Sequence, residues 1–357
     1  MNHSSDDQKL RLALVFGGRS GEHDVSVVSA RSVDRALDRQ QYEVVPMAID
    51  RGGRWADADT ARRVLGESAD RTEGVVAFEG RHRIDPRLIE EGFDVVFPVL
   101  HGPYGEDGTI QGLFEMIDLP FVGCDAASSA VCMDKIFCKS LLDQAGLPTP
   151  PWQEIDVASW TESRERILDL SLGLGLPLFV KPARLGSSVG ITKVSDKEEL
   201  AGAIEIALGH GERALVEKGV VAREIEVAVL GNRHPRAAIP GEVVPGHDFY
   251  DYEDKYLDAA CELLAPAPLD EDTTSTVQQM AIDVFRLLGC AGMARVDLFL
   301  TRESGELSVN EVNTIPGFTS ISMYPRLWGL SGIEYPALLD ELIRLAIDRA
   351  TDQPEHP

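Results

Sequence analysis

The chain has 357 residues, of which 44% are hydrophobic and 26% charged, with a formal net charge of −25. That length buries a sizeable core and divides into two or three domains, and the composition is ordinary for a soluble globular protein. The charge argues against a nucleic-acid partner, because phosphate backbones are met by Lys and Arg; an anionic substrate would need a local cluster of cations or metal.

Five cysteines, at 124, 132, 138, 261 and 290, form no CxxC pair and no His-Cys zinc spacing. Such a scattered, odd set predicts reduced, buried thiols in a cytoplasmic protein. The opening "MNHSSDDQKLR" has no basic region followed by a long apolar core, and no apolar run approaches a membrane span.

In chain order, "RLALVFGG" predicts a buried strand, "DVSVVSARSVDRALDR" an amphipathic helix and "YEVVPMAID" a second strand. Residues 51–90 are polar and Gly-rich and suggest an elaborated excursion. "FDVVFPVL", "TIQGLFEMID" and "PFVG" predict strand, helix and short strand. Strands alternating with helices imply a parallel sheet with its functional loops at the strands' C-terminal ends. A helix over 127–145 and the turn "GLPTPPW" lead into a smaller α+β unit. There, strands "PLFVKP", "GITKV" and "RALVEK" alternate with helices at 161–172 and 196–208. From "REIEVAVLG" onward come antiparallel strands, an irregular stretch near 246–260, a helix at 271–288, a hairpin and a last helix at 333–349.

Several loops carry chemistry. "FGGRSGEHDVS" lacks the GxGxxG spacing, and its Glu22 stands just ahead of a helix, where a carboxylate is favoured in any case. His101 and Glu106 in "LHGPYGEDGTIQG" suit either a turn or a ligand-facing position. "KPARLGSSVG" is not a Walker loop, but Gly and Ser let backbone N–H groups approach phosphate, with Lys181 as a point charge beside them. Only 8 lysines stand against 26 arginines, yet Lys135, Lys181 and Lys255 each fall in such a segment.

The hairpin "GMARVDLFLTRESGELSVNEVN" ends on Glu311 and Asn313, which alternation sends to one face about 6.6 Å apart. Alone, that pattern also fits a solvated edge strand. A three-residue loop at 303–305 would place Asp297 opposite Glu311 and Arg295 opposite Asn313. Facing carboxylates repel unless a cation lies between them, and these oxygens suit Mg²⁺. Two ions about 3.5–4 Å apart would fit.

Taken in order, GGRSGE, LHGPYGEDG, MDK, KPARLGSSVG, EK…REIEV, YDYEDKYLD, ARVDLF and NEVNTIPGFTS resemble the D-alanine–D-alanine ligases of the ATP-grasp superfamily, from about residue 11 to 350. The resemblance implies three domains, at 1–125 (an N-terminal parallel α/β unit), 126–218 and 219–357, with ATP between the last two. It implies Lys135, Lys181, Ser187 and Ser188 at the phosphates, Glu217 by the adenine and Glu224 by the ribose. Asp297, Glu311 and Asn313 would hold two Mg²⁺ or Mn²⁺. Glu22 would bind the first D-alanine's ammonium and bridge to Ser187 and Tyr256, with His101 close by. Arg295 and the Gly317 N–H would polarise the reacting carboxyl, and Ser322 and Lys255 would meet the second substrate's carboxylate. A homodimer is implied as well. Gly219 departs from relatives with a large side chain there. The alternatives are a D-alanine–D-lactate ligase, another ATP-grasp ligase, or a nucleotide-binding protein without ligase activity.

Overall fold

The computed structural model of the protein describes residues 9–66, 75–186, 188–244 and 262–351. Its strands form three sheets. In the first, β1 (Leu10–Gly17) lies between β2 (Tyr42–Ile49) and β3 (Val95–Val99), all parallel. Leu12 through Phe16 are completely buried, as expected for a parallel strand covered on both faces. Helix α1 (His23–Ala36) crosses from β1 to β2. The stretch expected to be an excursion also supplies core: α2 (Ala58–Gly66) buries Ala61, Val64 and Leu65, and α3 (Arg87–Glu90) buries Leu88. Helix α4 (Thr109–Met116) follows β3, and "PFVG" contributes one parallel bridge, Val96 to Phe121.

The single helix expected over 127–145 is two, α5 (Ala126–Met133) and α6 (Lys135–Ala145). Asp134 makes the break with φ −86° and ψ 100°, and its Oδ1 accepts from the N–H groups of Ile136 and Phe137. Its Oδ2 accepts from Arg184 Nε at 2.6 Å and Arg213 at 2.5 Å. This N-cap therefore starts a new helix with Lys135 as its first residue.

The second sheet is antiparallel, in the order β4 (Trp152–Asp156), β7 (Arg213–Lys218), β5 (Leu178–Pro182), β6 (Thr192–Val194). It is backed by α7 (Val157–Leu172) and α8 (Leu200–Leu208).

The third sheet runs β11 (Glu262–Leu264), β10 (Gly241–Val244), β8 (Ala222–Gly231), β12 (Gly292–Thr301), β13 (Leu307–Asn313), with β9 (Arg236–Ala237) also on β8. Helix α9 (Glu271–Leu287) covers one face. Helices α10 (Met323–Leu330) and α11 (Tyr335–Thr351) share a core with the first sheet, where Tyr324, Leu338 and Leu342 join Leu12, Phe16 and Phe97. That shared core fixes the end of β13 against the end of β3.

In the hairpin, the turn is one residue longer than expected: the Thr301 N–H donates to Glu306 O and the Gly305 N–H to Thr301 O, both at 2.9 Å. Leu298 then pairs with Val309, and a bulge leaves Asn310 as the extra residue. The bulge cancels the longer turn. Asp297 consequently lies opposite Glu311 and Arg295 opposite Asn313, the register expected from the sequence.

Candidate active site

The site is built where loops from all three sheets meet. Gly17 and Gly18 end β1 with φ +90° and +97°. A methyl at Gly17 would lie 2.2 Å from Ile49 O, so only glycine lets the chain turn here. The turn delivers Glu22 to the N-terminus of α1. A methyl at Gly102 would lie 3.2 Å from Glu22 Oε2, and one at Gly186 would lie 3.9 Å from it. The Glu22 carboxylate thus sits against the loop after β3 and the glycine-rich loop after β5.

His101 and Glu106 tie the loop after β3 to the segment after β13. His101 Nδ1 lies 3.0 Å from Ile315 O, which can only accept, so Nδ1 carries the proton. Nε2 is left to accept from Ser29 Oγ at 3.5 Å. Burial lowers the His101 pKa against the pull of Glu22, in keeping with this neutral ring. Glu106 accepts from the Gly102 N–H at 2.6 Å and the Ile315 N–H at 3.3 Å. Burial, with Glu22 beside it, pushes the Glu106 carboxyl up to about 8. Further along the same segment, a methyl at Gly317 would lie 2.6 Å from Ser322 Oγ, so these two predicted residues are adjacent. Ser322 Oγ is held by the Thr319 N–H at 3.0 Å.

Around the glycine-rich loop after β5, Lys135 Nζ donates to Leu185 O at 2.6 Å. Ser188 in that loop has φ +58°, a left-handed turn where side chains are uncommon. Lys181 Nζ donates to Glu217 Oε1 at 2.7 Å, and Lys139 Nζ lies 2.6 Å from Glu217 Oε2. Burial opposes ionisation of Glu217, but Lys181 and then Lys139 outweigh it and hold the carboxyl at about 2. Lys139 escaped the sequence reading: one helical turn beyond Lys135 it passes for surface, yet it is 2% exposed. Gly219 is explained by its neighbours, since a methyl there would lie 2.9 Å from Pro177 O and 3.1 Å from the Phe179 ring.

Lys139→Met should destabilise the protein by about 3 kcal/mol, the lower end for breaking a buried ion pair, because Lys181 still holds Oε1. A carboxyl depressed from 4.5 to about 2 contributes stability that is complete above pH 4.5 and is lost as pH falls toward 2. Urea unfolding should therefore show the wild-type advantage over Lys139→Met shrinking over that window. A constant gap would contradict the assignment.

The third component lies on the face shared by β8, β12 and β13. Glu226 pairs in register with Asp297, and Asp297 with Glu311, giving three carboxylates in one row. Glu224 stands two residues before Glu226 in β8, so alternation puts it on the same face. Arg295 donates from Nε to Asp297 Oδ1 at 2.7 Å and from its terminal nitrogen to Oδ2 at 2.6 Å. The same nitrogen lies 3.3 Å from Glu226 Oε1, and Asn313 Nδ2 donates to Asp297 Oδ2 at 3.0 Å. Asp297 and then Glu226 raise the Arg295 pKa against the effect of burial. Among the described residues no three His, Cys, Asp or Glu side chains gather at one point. Two carboxylates and an amide nevertheless fit Mg²⁺, which takes few protein oxygens and leaves other positions to water and phosphate.

Ser187, Lys255 and Tyr256 lie outside the described residues. The four described cysteines, 124, 132, 138 and 290, are buried free thiols. Among the described residues no helix is long and apolar enough to cross a membrane.

Residues 11–124 match the family described as "D-ala D-ala ligase N-terminus", and residues 141–344 that described as "D-ala D-ala ligase C-terminus". The D-alanine--D-alanine ligase of a Thermoanaerobacter strain is 49% identical over 352 residues, spanning 96% of this chain and 97% of the relative. That of Streptomyces griseus is 46% identical over 370 residues, spanning 96% and 94%. Among solved structures, the D-alanine-D-alanine ligase from Coxiella burnetii has a TM-score of 0.80 at 39% identity, covering 97% of this chain and 96% of its own. The VanG D-Ala:D-Ser ligase from Enterococcus faecalis gives 0.80 at 35% identity, covering 95% and 100%. With both halves matched in order over nearly the whole length, and the loops after β1, β3 and β5 meeting at Glu22, this chain belongs to the D-alanine–D-alanine ligase family.

Proposed function

We propose that the protein joins two D-alanines to D-alanyl-D-alanine with conversion of ATP to ADP and phosphate, through a D-alanyl phosphate, in peptidoglycan precursor synthesis. The observation that carries this reading is the meeting of three loops. Glu22 lies against Gly102 and Gly186, while His101 and Glu106 bond to Ile315, two residues from Gly317. A small zwitterion set there has a carboxylate for its ammonium and a guanidinium for its carboxylate. The corresponding division of the chain is 1–125, 126–218 and 219–357, with nucleotide between the second and third units.

A carboxylate is a poor electrophile, so it must first be activated. Glu22 holds the first D-alanine's ammonium, and an oxygen of that substrate's carboxylate attacks the γ-phosphorus, expelling ADP. Lys135, Lys181 and the N–H groups around Ser187 and Ser188 neutralise the transferring group, where positioning and electrostatics do most of the catalysis. Glu217 lies by the adenine while fixing Lys181, and Glu224 meets the ribose. Two Mg²⁺ or Mn²⁺ ions held by Asp297, Glu311 and Asn313 would add positive charge along the phosphates. The second amine, once deprotonated, attacks the acyl carbon, and Arg295 with the Gly317 N–H faces the oxyanion until phosphate leaves. Ser322 and Lys255 take the second carboxylate. Tyr256 joins Glu22 and Ser187 in excluding water, which would hydrolyse the acyl phosphate.

The similarity to a D-Ala:D-Ser ligase makes the second substrate the point to test. Phosphate release with ATP, Mg²⁺ and D-alanine should be robust, negligible with L-alanine, and yield dipeptide in competition with D-serine or D-lactate. Release that requires another acid, or a mixed product dominating at equal concentrations, would overturn the reading.

A further inference from the structure

We propose that Glu226 is a positioning residue that holds Arg295 when Asp297 is engaged by metal; this rests on the reading of Asp297 and Glu311 as metal ligands. Arg295 is bound through two nitrogens to Asp297, at 2.7 and 2.6 Å. Those are the oxygens a cation would need. A guanidinium that merely lost this partner would be left in a largely buried place with reduced charge compensation, which is costly. Glu226 removes the difficulty. It is 7% exposed, stands beside Asp297 in the β8–β12 register, and its Oε1 already lies 3.3 Å from the Arg295 terminal nitrogen.

The row of three carboxylates thereby acquires a division of labour. Asp297 and Glu311, on the hairpin, face the metal; Glu226, on the far side of Asp297, faces the arginine. A short movement of the guanidinium toward β8 would free Asp297 while keeping the arginine charged and beside His101 and Glu106. Glu226 would thus act on two quantities through Arg295: metal affinity, by drawing the competing cation off Asp297, and turnover, by fixing where that cation faces the reacting carboxyl.

Mn²⁺ binding, followed by electron paramagnetic resonance with a non-hydrolysable ATP analogue present, separates these readings. Asp297→Asn should abolish tight Mn²⁺ binding; if it does not, the underlying metal assignment fails, whatever Glu226 does. Glu226→Gln should weaken Mn²⁺ about tenfold and lower kcat about tenfold, with the KM for D-alanine changed less than twofold. In an Arg295→Met background the same substitution should change Mn²⁺ affinity by no more than twofold, since no arginine remains to be drawn away. An equal tenfold loss in that background would mean that Glu226 acts on the ion directly, and unchanged affinity in the wild-type background would mean that it does not act at all. Either result overturns the proposal. Should Glu226→Gln fail to fold, Glu226→Asp, which retracts the carboxylate from the 3.3 Å contact, carries the same pair of comparisons.

Discussion

Glu311→Gln is expected to lower turnover at least about a hundredfold while leaving the protein about as stable as wild type. The catalytic loss follows from its place opposite Asp297 at the end of the hairpin, where a neutral amide cannot contribute charge to a Mg²⁺ site. Losing one preorganised electrostatic contact in an active site typically costs about 10²–10³ in rate. The stability side follows from two opposed effects: Glu311 faces the Asp297 carboxylate, which destabilises, but it also favours the Arg295 guanidinium, so neutralising it leaves stability little changed. Turnover against Mg²⁺ concentration and thermal unfolding with a chelator present check both halves. A variant that is slow because it is unfolded, or one with near-wild-type turnover at limiting Mg²⁺, would show that Glu311 is not a metal ligand.

Lys181→Met is the second large effect. It should raise the KM for ATP and lower kcat, for a combined loss of about a hundredfold or more in kcat/KM, with D-alanine binding changed far less. Lys181 ends β5 directly before the glycine-rich loop and is fixed by Glu217 at 2.7 Å. A buried carboxylate shared by two lysines leaves that corner with a net positive charge, which suits a polyphosphate. Replacing Lys139 tests the same ion group from the other side. It is 2% exposed, so its loss should appear chiefly as stability. Titration calorimetry with an ATP analogue distinguishes them. Equal nucleotide affinity in wild type and Lys181→Met would reduce Lys181 to a structural partner of Glu217.

The hairpin shows how much of this was legible in the sequence. Two alternating runs around a Glu-Ser-Gly turn gave the correct Asp297–Glu311 register, but through two offsetting departures. The turn holds one more residue than expected, and the bulge at Asn310 removes the shift. Alternation records which residues share a face; it does not record a bulge, whose extra residue looks like any other strand residue. Glu226 could not be placed at all, because pairing β8 with β12 joins segments separated, among the described residues, by a helix and three other strands. The break at Asp134 was written in an N-cap residue, but the apolar spacing continues on both sides and hides it. Helix α10 was missed because Pro325 falls within it, although proline is tolerated in a helix's first turn. Strand β4 was hidden by Pro148, Pro150 and Pro151, which end immediately before it.

The central claim is that Glu22, Arg295 and the lysines hold a carboxylate where ATP phosphorylates it before an amine displaces the phosphate. Labelling tests this most directly. D-alanine carrying ¹⁸O in both carboxylate oxygens is incubated with the enzyme, ATP and Mg²⁺, and the released phosphate is analysed by mass spectrometry. In an acyl phosphate the bridging oxygen comes from the carboxylate and departs with phosphorus when the amine attacks. One ¹⁸O per phosphate, in step with dipeptide formed, is the result predicted. Unlabelled phosphate alongside dipeptide would contradict it, because the carboxylate would then have been activated without bonding to the γ-phosphoryl group.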